Sequence, residues 1–123
     1  MNPELLTGAD LAFIGDAYFE LYIRNYILNK GYTKLRDLHQ HTVNFVSRTN
    51  QYKIINTLMD ELTTHEQEIF KRGRNFDYKD KTKEYVNASG FEALVGYLYL
   101  KNDNDRLLYI MDRSIEIIEA KEK

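Results

Sequence analysis

Apolar side chains recur at helical spacing along most of the chain. The stripe between Thr33 and Leu62 has steps of three or four residues, at Leu35, Leu38, Thr42, Phe45, Thr49, Tyr52, Ile55, Met59 and Leu62. A stripe of this length indicates two helices, or one helix with a bend. A second stripe after Asn102 indicates a C-terminal helix, with one face formed by Leu107, Met111, Ser114, Ile115 and Ile118. The only proline is Pro3, so helices can form throughout the rest of the chain, and we predict an all-α helical bundle.

Two polar segments separate the predicted helices. Thr63-Thr64-His65-Glu66 is typical of a capping box, because the side chains of Thr63 and Glu66 can each accept a hydrogen bond from the other's backbone amide. A short helix is therefore expected to begin there. The segment KRGRNFDYKDKTK (Lys71–Lys83) follows, and its polarity predicts a loop. In such a loop Gly73 would permit a sharp turn or a close approach to a phosphate.

The segment from Leu11 to Asn29 is apolar nearly all round, which predicts a buried helix. Its charged residues Asp16, Glu20 and Arg24 share one narrow stripe at intervals of four. They could form a solvated ladder of salt bridges, the commoner use of this spacing on helices. Alternatively, a carboxylate in so apolar a helix could bind a metal ion, because unpaired burial of a charge is costly.

A second carboxylate stands out more clearly. Glu92 is the only charged residue between Asn87 and Leu100, a segment that is otherwise almost entirely apolar. A buried carboxylate of this kind is a candidate functional group. A structural hydrogen bond or an arginine partner would explain it equally well, and the residues alone leave both interpretations open.

Glycines accompany both acids, with Gly15 beside Asp16 and with Gly90 and Gly96 flanking Glu92. Glycine weakens a helix, so its repeated use suggests that two backbones approach each other closely. If the two helices cross there, two carboxylates converge in apolar surroundings. A ligand set made only of oxygen suits Mg²⁺ or Mn²⁺, which would serve metal-assisted hydrolysis of a phosphodiester.

The composition of the chain excludes several kinds of protein and of metal site. The 123 residues contain no cysteine, which excludes disulfides and thiolate metal sites. The formal net charge of −2 argues against a generally basic nucleic-acid binder. No apolar stretch is long enough for a membrane helix, and the N-terminal MNPELLTGAD lacks the features of a signal peptide. We therefore expect a cytoplasmic protein without a membrane partner.

Four ordered segments resemble the ribonuclease III family. LAFIGDAYFELYIR (Leu11–Arg24) is similar to the family signature, and FEALVGYLYL (Phe91–Leu100) is similar to its second motif. LHQHTVNFVSRTNQ (Leu38–Gln51) and KRGRN (Lys71–Asn75) resemble the Mini-ribonuclease III branch in particular. The resemblance spans nearly the whole chain, in order and without large gaps.

The resemblance implies a homodimeric, Mg²⁺-dependent endoribonuclease, with Mn²⁺ as a possible substitute, that cuts double-stranded RNA and leaves 5′-phosphate and 3′-hydroxyl ends. It implies maturation of the bacterial 23S ribosomal RNA precursor, with the participation of a ribosomal protein left open. Phe13 matches the family's aromatic that enters a socket on the partner, and Ile14 and Ala17 lie beside it on the expected dimer interface. The residues after Leu100 predict one helix, so residues 1–123 are expected to form a single catalytic domain without a separate RNA-binding domain.

Residue by residue, Asp16 and Glu92 match the family's two metal-binding, catalytic acids. Two further acids of full-length ribonuclease III are replaced here by Ala12 and Ser89, as in the Mini branch. These replacements keep an alternative open, a non-catalytic RNA-binding or ribosome-assembly dimer. A purely structural helical dimer is a third hypothesis. Glu20 could support the metal site, but pairing with Arg24 is the favoured interpretation.

RNA contacts are expected from Lys71, Arg72, Arg74 and Asn75. The segment Lys71–Lys83 contains six basic and two acidic residues, a charge of +4 within a chain of −2. Composition alone favours a solvated loop, and the resemblance of KRGRN to the Mini branch reverses that preference. Duplex RNA is recognised largely through phosphates and 2′-hydroxyls, which basic side chains can reach.

Overall fold

A computed structural model describes residues 1–120, and this part of the chain is all-helical with no strand, which confirms the predicted fold class. The helices are α1 (Gly8–Asn29), α2 (Leu35–Val46), α3 (Arg48–Leu58), α4 (Thr64–Arg74), α5 (Lys83–Leu100) and α6 (Asn104–Ala120). Short 3₁₀ turns occur at Pro3–Leu5 and Met59–Glu61. Within the described residues, no helix has both the length and the hydropathy needed to cross a bilayer.

Reciprocal side-chain capping marks the start of α1 and of α4. Thr7 and Asp10 form a reciprocal capping box at α1, with hydrogen bonds of 3.1 and 3.2 Å. The box predicted at Thr63 and Glu66 is confirmed at α4, with bonds of 3.1 and 2.9 Å. Each box satisfies backbone amides that the first helical turn leaves without partners. Local sequence alone therefore sets where α1 and α4 begin.

Helix α5 forms the centre of the domain. Residues Ala88–Leu98 are all buried, because α1, α3, α4 and α6 surround this helix. Phe91 packs edge-on against Phe19 of α1, with 5.1 Å between the ring centroids. The C-terminal stripe predicted after Asn102 is buried on α6 as expected. Any charge on the middle of α5 is therefore removed from water.

The long stripe from Thr33 to Leu62 divides into α2 and α3, as one of the two alternatives predicted. The division lies at Ser47, whose side chain caps α3 by accepting a hydrogen bond from the amide of Asn50 at 3.2 Å. Beyond this break Ile55 and Leu62 of the predicted stripe are buried. Thr49 of the predicted stripe is exposed, whereas Gln51 is buried. The predicted stripe is therefore wrong at Thr49, and also at Leu35, which is 81% exposed.

The prediction that Lys71–Lys83 is a loop is wrong at both ends. Lys71–Arg74 form the last turn of α4, and Lys83 begins α5, so that only residues 75–82 form a loop. Basic residues favour the last turn because they complement the negative end of the helix dipole. Gly73 makes no turn. It is buried, and a β-carbon there would lie 2.4 Å from Cβ of Ala93.

Helix α1 is not buried all round in the single chain, contrary to the prediction. Leu11, Phe19 and Ile23 are buried, but Phe13 is 82% exposed, and Leu21 and Leu28 are also exposed. The helix therefore has one apolar face in the core and a second apolar face that the described residues leave uncovered.

Candidate active site

The backbones of α1 and α5 touch at two glycines. A β-carbon on Gly15 would lie 1.7 Å from the carbonyl oxygen of Glu92, and one on Gly96 would lie 2.0 Å from that of Leu11. Both distances are far shorter than a side chain allows, so the close approach predicted for these glycines is confirmed. Gly90 serves a contact with a different helix, because a β-carbon there would lie 2.6 Å from the ring and 2.8 Å from the carbonyl oxygen of Phe70 on α4.

This helix contact brings Asp16 and Glu92 together. Glu92 is only 5% exposed, and its carboxylate interacts directly with that of Asp16. Asp16 lies on the exposed side of the contact, so one carboxylate is open to solvent and the other is buried behind it. The structure thus joins the two acids that the sequence singled out on separate helices.

Helix α3 supplies two further side chains to Glu92, which the sequence analysis did not identify. Arg48 places Nη1 3.9 Å from Oε1 of Glu92, and Gln51 places Nε2 3.4 Å from Oε2. Gln51 Nε2 also donates to the carbonyl of Val46 at 3.0 Å. Its Oε1 is buried and has no partner among the described residues. An amide oxygen without a partner is rare in a protein interior and is typical of sites that complete their contacts with water, an ion or a ligand.

The surroundings of Glu92 disfavour its charge. Burial, followed by the neighbouring carboxylate of Asp16, raises the pKa of Glu92 to about 9. Arg48 and Gln51 act in the opposite direction but do not compensate. Two adjacent carboxylates in a site with few donors bind a cation readily, because a cation removes both the repulsion and the desolvation cost.

The donor chemistry of the site fits a divalent metal ion. Asp16 and Glu92 offer carboxylate oxygens, and within residues 1–120 no group of three or more His, Cys, Asp or Glu could hold a metal. Mg²⁺ commonly uses one or two protein carboxylates and completes its shell with water and substrate phosphate. Two acids with one solvent-exposed side suit this kind of binding.

An aromatic cluster borders the site on the side of the loop 75–82. The guanidinium of Arg48 lies over the ring of Tyr85, 4.0 Å from its centroid. Tyr85 in turn packs edge-on against Tyr78 at 5.4 Å. The hydroxyl of Tyr78 donates to the carbonyl of Gly73 at 2.7 Å, which ties the loop to the end of α4. The basic end of α4 is thus joined to the site through packed side chains.

The alternative of a ladder formed by Asp16, Glu20 and Arg24 is only partly realised. Arg24 pairs with Glu20 at 3.2 Å on the surface of α1, as the favoured interpretation of Glu20 expected. Asp16 faces Glu92 instead. The arginine partner considered for Glu92 also exists, as Arg48, but at 3.9 Å it is distant.

The four predicted RNA-binding residues lie together at the C-terminal end of α4. Lys71 is exposed. Arg72 is directed toward the N-terminal segment, where Nη1 lies 3.4 Å from the carbonyl oxygen of Glu4 and 3.5 Å from that of Leu6. Arg74 donates to the side chain of Asn75 at 3.0 Å. The cluster is therefore part of the surface, and Arg72 also fastens the start of the chain.

The chain is similar to known proteins along nearly its whole length. Residues 9–103 match the Ribonuclease III domain family, a range that includes both acids. A protein named Mini-ribonuclease 3 from Symbiobacterium thermophilum is 40% identical, in an alignment that covers 96% of this chain and 95% of that protein. The chain belongs to the Mini-ribonuclease 3 family.

Two further proteins match more than nine tenths of this chain. The protein of this name from Streptococcus pneumoniae is 38% identical over 98% of this chain and 99% of its own. A crystal structure of a Fusobacterium nucleatum protein has a TM-score of 0.81 and 30% identity, and it covers 91% of this chain and 93% of that one. As a Mini-ribonuclease 3 family member the chain is an endoribonuclease, which favours the enzyme over the two non-catalytic hypotheses.

Proposed function

We propose that the chain is a Mg²⁺-dependent endoribonuclease that cleaves double-stranded RNA, with Asp16 and Glu92 as its catalytic, metal-binding residues. The observation that carries the proposal is the pairing of a buried with an exposed carboxylate at the contact of α1 and α5. Mn²⁺ has the same preference for oxygen ligands and is expected to substitute.

The metal ion would polarise the phosphate and activate a water molecule for attack on phosphorus. The protein's own part is to hold the ligands. Glu92 is fixed on the buried face of α5, with one of its oxygens near the amide of Gln51. Asp16 presents its carboxylate at the exposed edge, where a phosphate can approach. Breaking the bond from phosphorus to the 3′-oxygen leaves a 5′-phosphate and a 3′-hydroxyl, the ends that the family resemblance implies.

Duplex RNA is proposed to contact Lys71, Arg72, Arg74 and Asn75 at the end of α4. These residues are joined to the catalytic pair through Tyr78 and Tyr85, so that a backbone held by the end of α4 would run toward the acids. Contacts with phosphates position a duplex without selecting its sequence. The side chains on this surface therefore determine affinity and its dependence on salt.

The active protein is proposed to be a homodimer, with Phe13, Ile14 and Ala17 at its interface. Phe13 is 82% exposed on the uncovered face of α1, an unfavourable position for a phenyl ring in water. Beside it lies a groove of about 360 Å³, lined by Met1, Leu6, Asp10, Phe13, Ile14 and Leu100. A phenyl ring from a second copy could occupy such a groove, as the family resemblance implies.

The proposed physiological substrate is the 23S ribosomal RNA precursor, in the cytoplasm of a bacterium. This part of the proposal is supported by the resemblance to the Mini branch and by the similarity to proteins named Mini-ribonuclease 3. Participation of a ribosomal protein would affect how the precursor stem is presented, and the dependence of cleavage on such a protein can be measured directly.

The test is incubation of the purified protein with a duplex stem of the ribosomal precursor, with and without Mg²⁺, followed by mapping of the ends. We expect staggered cuts with 5′-phosphate ends only when the metal ion is present. Asp16→Asn and Glu92→Gln should fold and bind RNA but cleave at least about 10³-fold more slowly, as expected for loss of a main electrostatic group. Asn25→Gln, an exposed polar change on α1, is the matched control.

Full turnover by either acid variant would refute the site. Binding of the duplex without cleavage at any Mg²⁺ or Mn²⁺ concentration would refute the activity. Sedimentation of wild type and Phe13→Ala tests the dimer separately, since a monomeric wild type would contradict that part alone.

A further inference from the structure

Arg48 has an unusual position for an arginine. It is the first residue of α3, next to the cap at Ser47, and the first turn of this helix contains no acidic residue. A cation at a helix N-terminus is unfavourable, because the helix dipole is positive at that end. Stability of α3 therefore does not explain why an arginine stands there.

Pairing with Glu92 explains the position only in part. The distance of 3.9 Å from Nη1 to Oε1 is well beyond the length of a charge-assisted hydrogen bond. The side chain of Arg48 is 46% exposed, and among residues 1–120 its guanidinium donates no hydrogen bond. By comparison, Arg106 makes two bonds of 2.7 and 2.8 Å to the buried Glu66. Arg48 therefore keeps donors available that a dedicated partner of Glu92 would have used.

The side chain is nevertheless held in place. Its guanidinium stacks on Tyr85 at 4.0 Å, and Tyr85 is itself packed against Tyr78. A stacked guanidinium keeps its planar edge of N–H donors free, and this edge matches the oxygens of a phosphate. The stacking holds Arg48 beside Glu92, while nearly half of its side chain stays exposed to solvent.

The proposed metal site lacks a positive charge for the phosphate of the substrate. Two ionised carboxylates and one divalent cation cancel, so a phosphodiester would enter a site with no net positive charge. The charge on the phosphate grows as water attacks, and in nucleases with two metal ions the second ion offsets it. Within residues 1–120 no third acidic or histidine ligand is grouped with Asp16 and Glu92 to hold a second ion. Arg48 is the cation that the chain itself places at this point.

We propose that Arg48 binds the phosphate that is cleaved and offsets its growing charge, in the place that a second metal ion takes in other nucleases. The proposal rests on the proposed function, because it requires a phosphodiester beside Asp16 and Glu92. It makes Arg48 a substrate-binding catalytic residue, and it gives Tyr85 the role of positioning Arg48.

The test combines a change in the protein with a change in the RNA. The variants are Arg48→Gln and Arg48→Lys, with Lys53→Gln, an exposed change on the same helix, as the matched control. The RNA is a duplex with a neutral methylphosphonate at the mapped cleavage position, compared with the ordinary duplex. Binding is measured with Ca²⁺ in place of Mg²⁺, so that affinity is read separately from cleavage.

We expect wild type and Lys53→Gln to bind the methylphosphonate duplex about 10-fold more weakly than the ordinary one, as for loss of a charged hydrogen bond. Arg48→Gln should bind both duplexes equally and cleave with a kcat reduced by about 10²-fold. Arg48→Lys should recover part of the discrimination and of kcat, because it keeps the charge but loses the planar group. If Arg48→Gln does not fold, Arg48→Lys provides the test, because it should lose part of the discrimination between the duplexes and part of kcat.

The opposing result is that Arg48 only neutralises Glu92. The Gln variant would then show the wild-type discrimination between the duplexes, and it would need less Mg²⁺ for half-maximal activity. That result overturns the role of Arg48 and leaves the proposed function intact, because wild type still cleaves. If wild type itself fails to cleave in Mg²⁺, the proposed function fails first.

Discussion

Glu66 and Glu92 are both 5% exposed, yet their surroundings differ completely. Glu66 accepts hydrogen bonds of 2.7 and 2.8 Å from Arg106, and one of 2.9 Å from the amide of Thr63. Glu92 has a guanidinium at 3.9 Å and an amide at 3.4 Å, and it faces a second carboxylate. The two glutamates are thus equally buried, but only Glu66 has a complete set of hydrogen-bond donors.

The pKa values move in opposite directions for this reason. Burial alone would raise the pKa of Glu66, but Arg106 and Thr63 outweigh it and the pKa falls below 4.5. For Glu92, burial and Asp16 act together and raise the pKa to about 9. A buried carboxylate whose oxygens all accept hydrogen bonds has a structural role. A buried carboxylate with too few hydrogen-bond donors around it is available to bind a ligand.

Removing the charge of Glu66 tests the structural side of the comparison and should have the largest effect. Glu66→Gln keeps the capping box, because glutamine can also accept from Thr63, but it removes the charge to which the guanidinium of Arg106 is hydrogen-bonded. We expect the free energy of unfolding to fall by about 3–5 kcal/mol, measured by urea denaturation. Glu68→Gln, exposed on the same helix, should change it by no more than about 0.5 kcal/mol. A stable Glu66→Gln protein would remove the distinction drawn between the two glutamates.

The glycine contact tests how the incomplete site is held. Gly15→Ala would place a β-carbon 1.7 Å from the backbone of Glu92, so α1 and α5 must move apart. We expect a loss of about 3 kcal/mol in unfolding free energy, at the upper end for overpacking, together with reduced cleavage by the folded fraction. Gly90→Ala meets mainly the ring of Phe70, at 2.6 Å, and should reduce stability but not activity per folded molecule. Equal activity losses would show that the contact of α1 with α5 has no special role.

Removing the charge of Glu92 should have the opposite sign from the same change at Glu66. The folded state holds the proton of Glu92 more tightly than the unfolded chain does, so ionisation lowers stability as the pH rises from 4.5 toward about 9. In metal-free buffer Glu92→Gln should therefore match wild type near pH 4 and be the more stable of the two at pH 8, by about 1.4 kcal/mol for each unit by which folding raises the pKa of Glu92 over this range. Thermal unfolding across this range measures the difference.

Added Mg²⁺ provides the control for that experiment. At pH 8 the ion should raise the melting temperature of wild type but not that of Glu92→Gln, because only wild type offers both carboxylates. If Glu92→Gln is less stable than wild type at pH 8, the folded protein stabilises the ionised carboxylate of Glu92, as it does that of Glu66.

The smallest effect is expected at Glu20, an acid on the same helix as Asp16. Its exposed pairing with Arg24 at 3.2 Å is worth at most about 1 kcal/mol. Glu20→Gln should therefore change unfolding free energy by about 0.5 kcal/mol and leave the Mg²⁺ dependence of cleavage unchanged. A marked shift in the Mg²⁺ requirement would show that three acids, not two, serve the metal ion.

Prediction from sequence succeeded where the signal was local or unusual. The all-helical fold followed from spacing, and Glu92 was conspicuous as the one charge in an apolar segment. Gly15 and Gly96 indicated a backbone contact that the structure contains. Each of these features can be recognised within one helix. A buried charge and a glycine inside a helix both lower stability, so their presence indicates a specific role.

The missed residues, Arg48 and Gln51, depend on the break at Ser47. The apolar stripe includes Thr49, which is exposed, whereas the polar Gln51 just beyond the break is buried. No spacing rule crosses such a break, because the turn angle between two helices is set by tertiary packing. The pairing of Glu66 with Arg106 was missed for a related reason, since the partners lie forty residues apart on α4 and α6, with α5 between them in the chain.

The contact of α1 with α5 has a consequence for how the enzyme loses activity. With no side chain between the helices at Gly15 and Gly96, there is no flexible layer that could loosen while the rest stays folded. Separating the acids then requires opening the most protected part of the domain, so amide hydrogens around Phe19 and Leu94 should exchange only through global unfolding. We therefore expect no partially inactivated native state. Under rising denaturant its cleavage activity should disappear together with its helical circular dichroism.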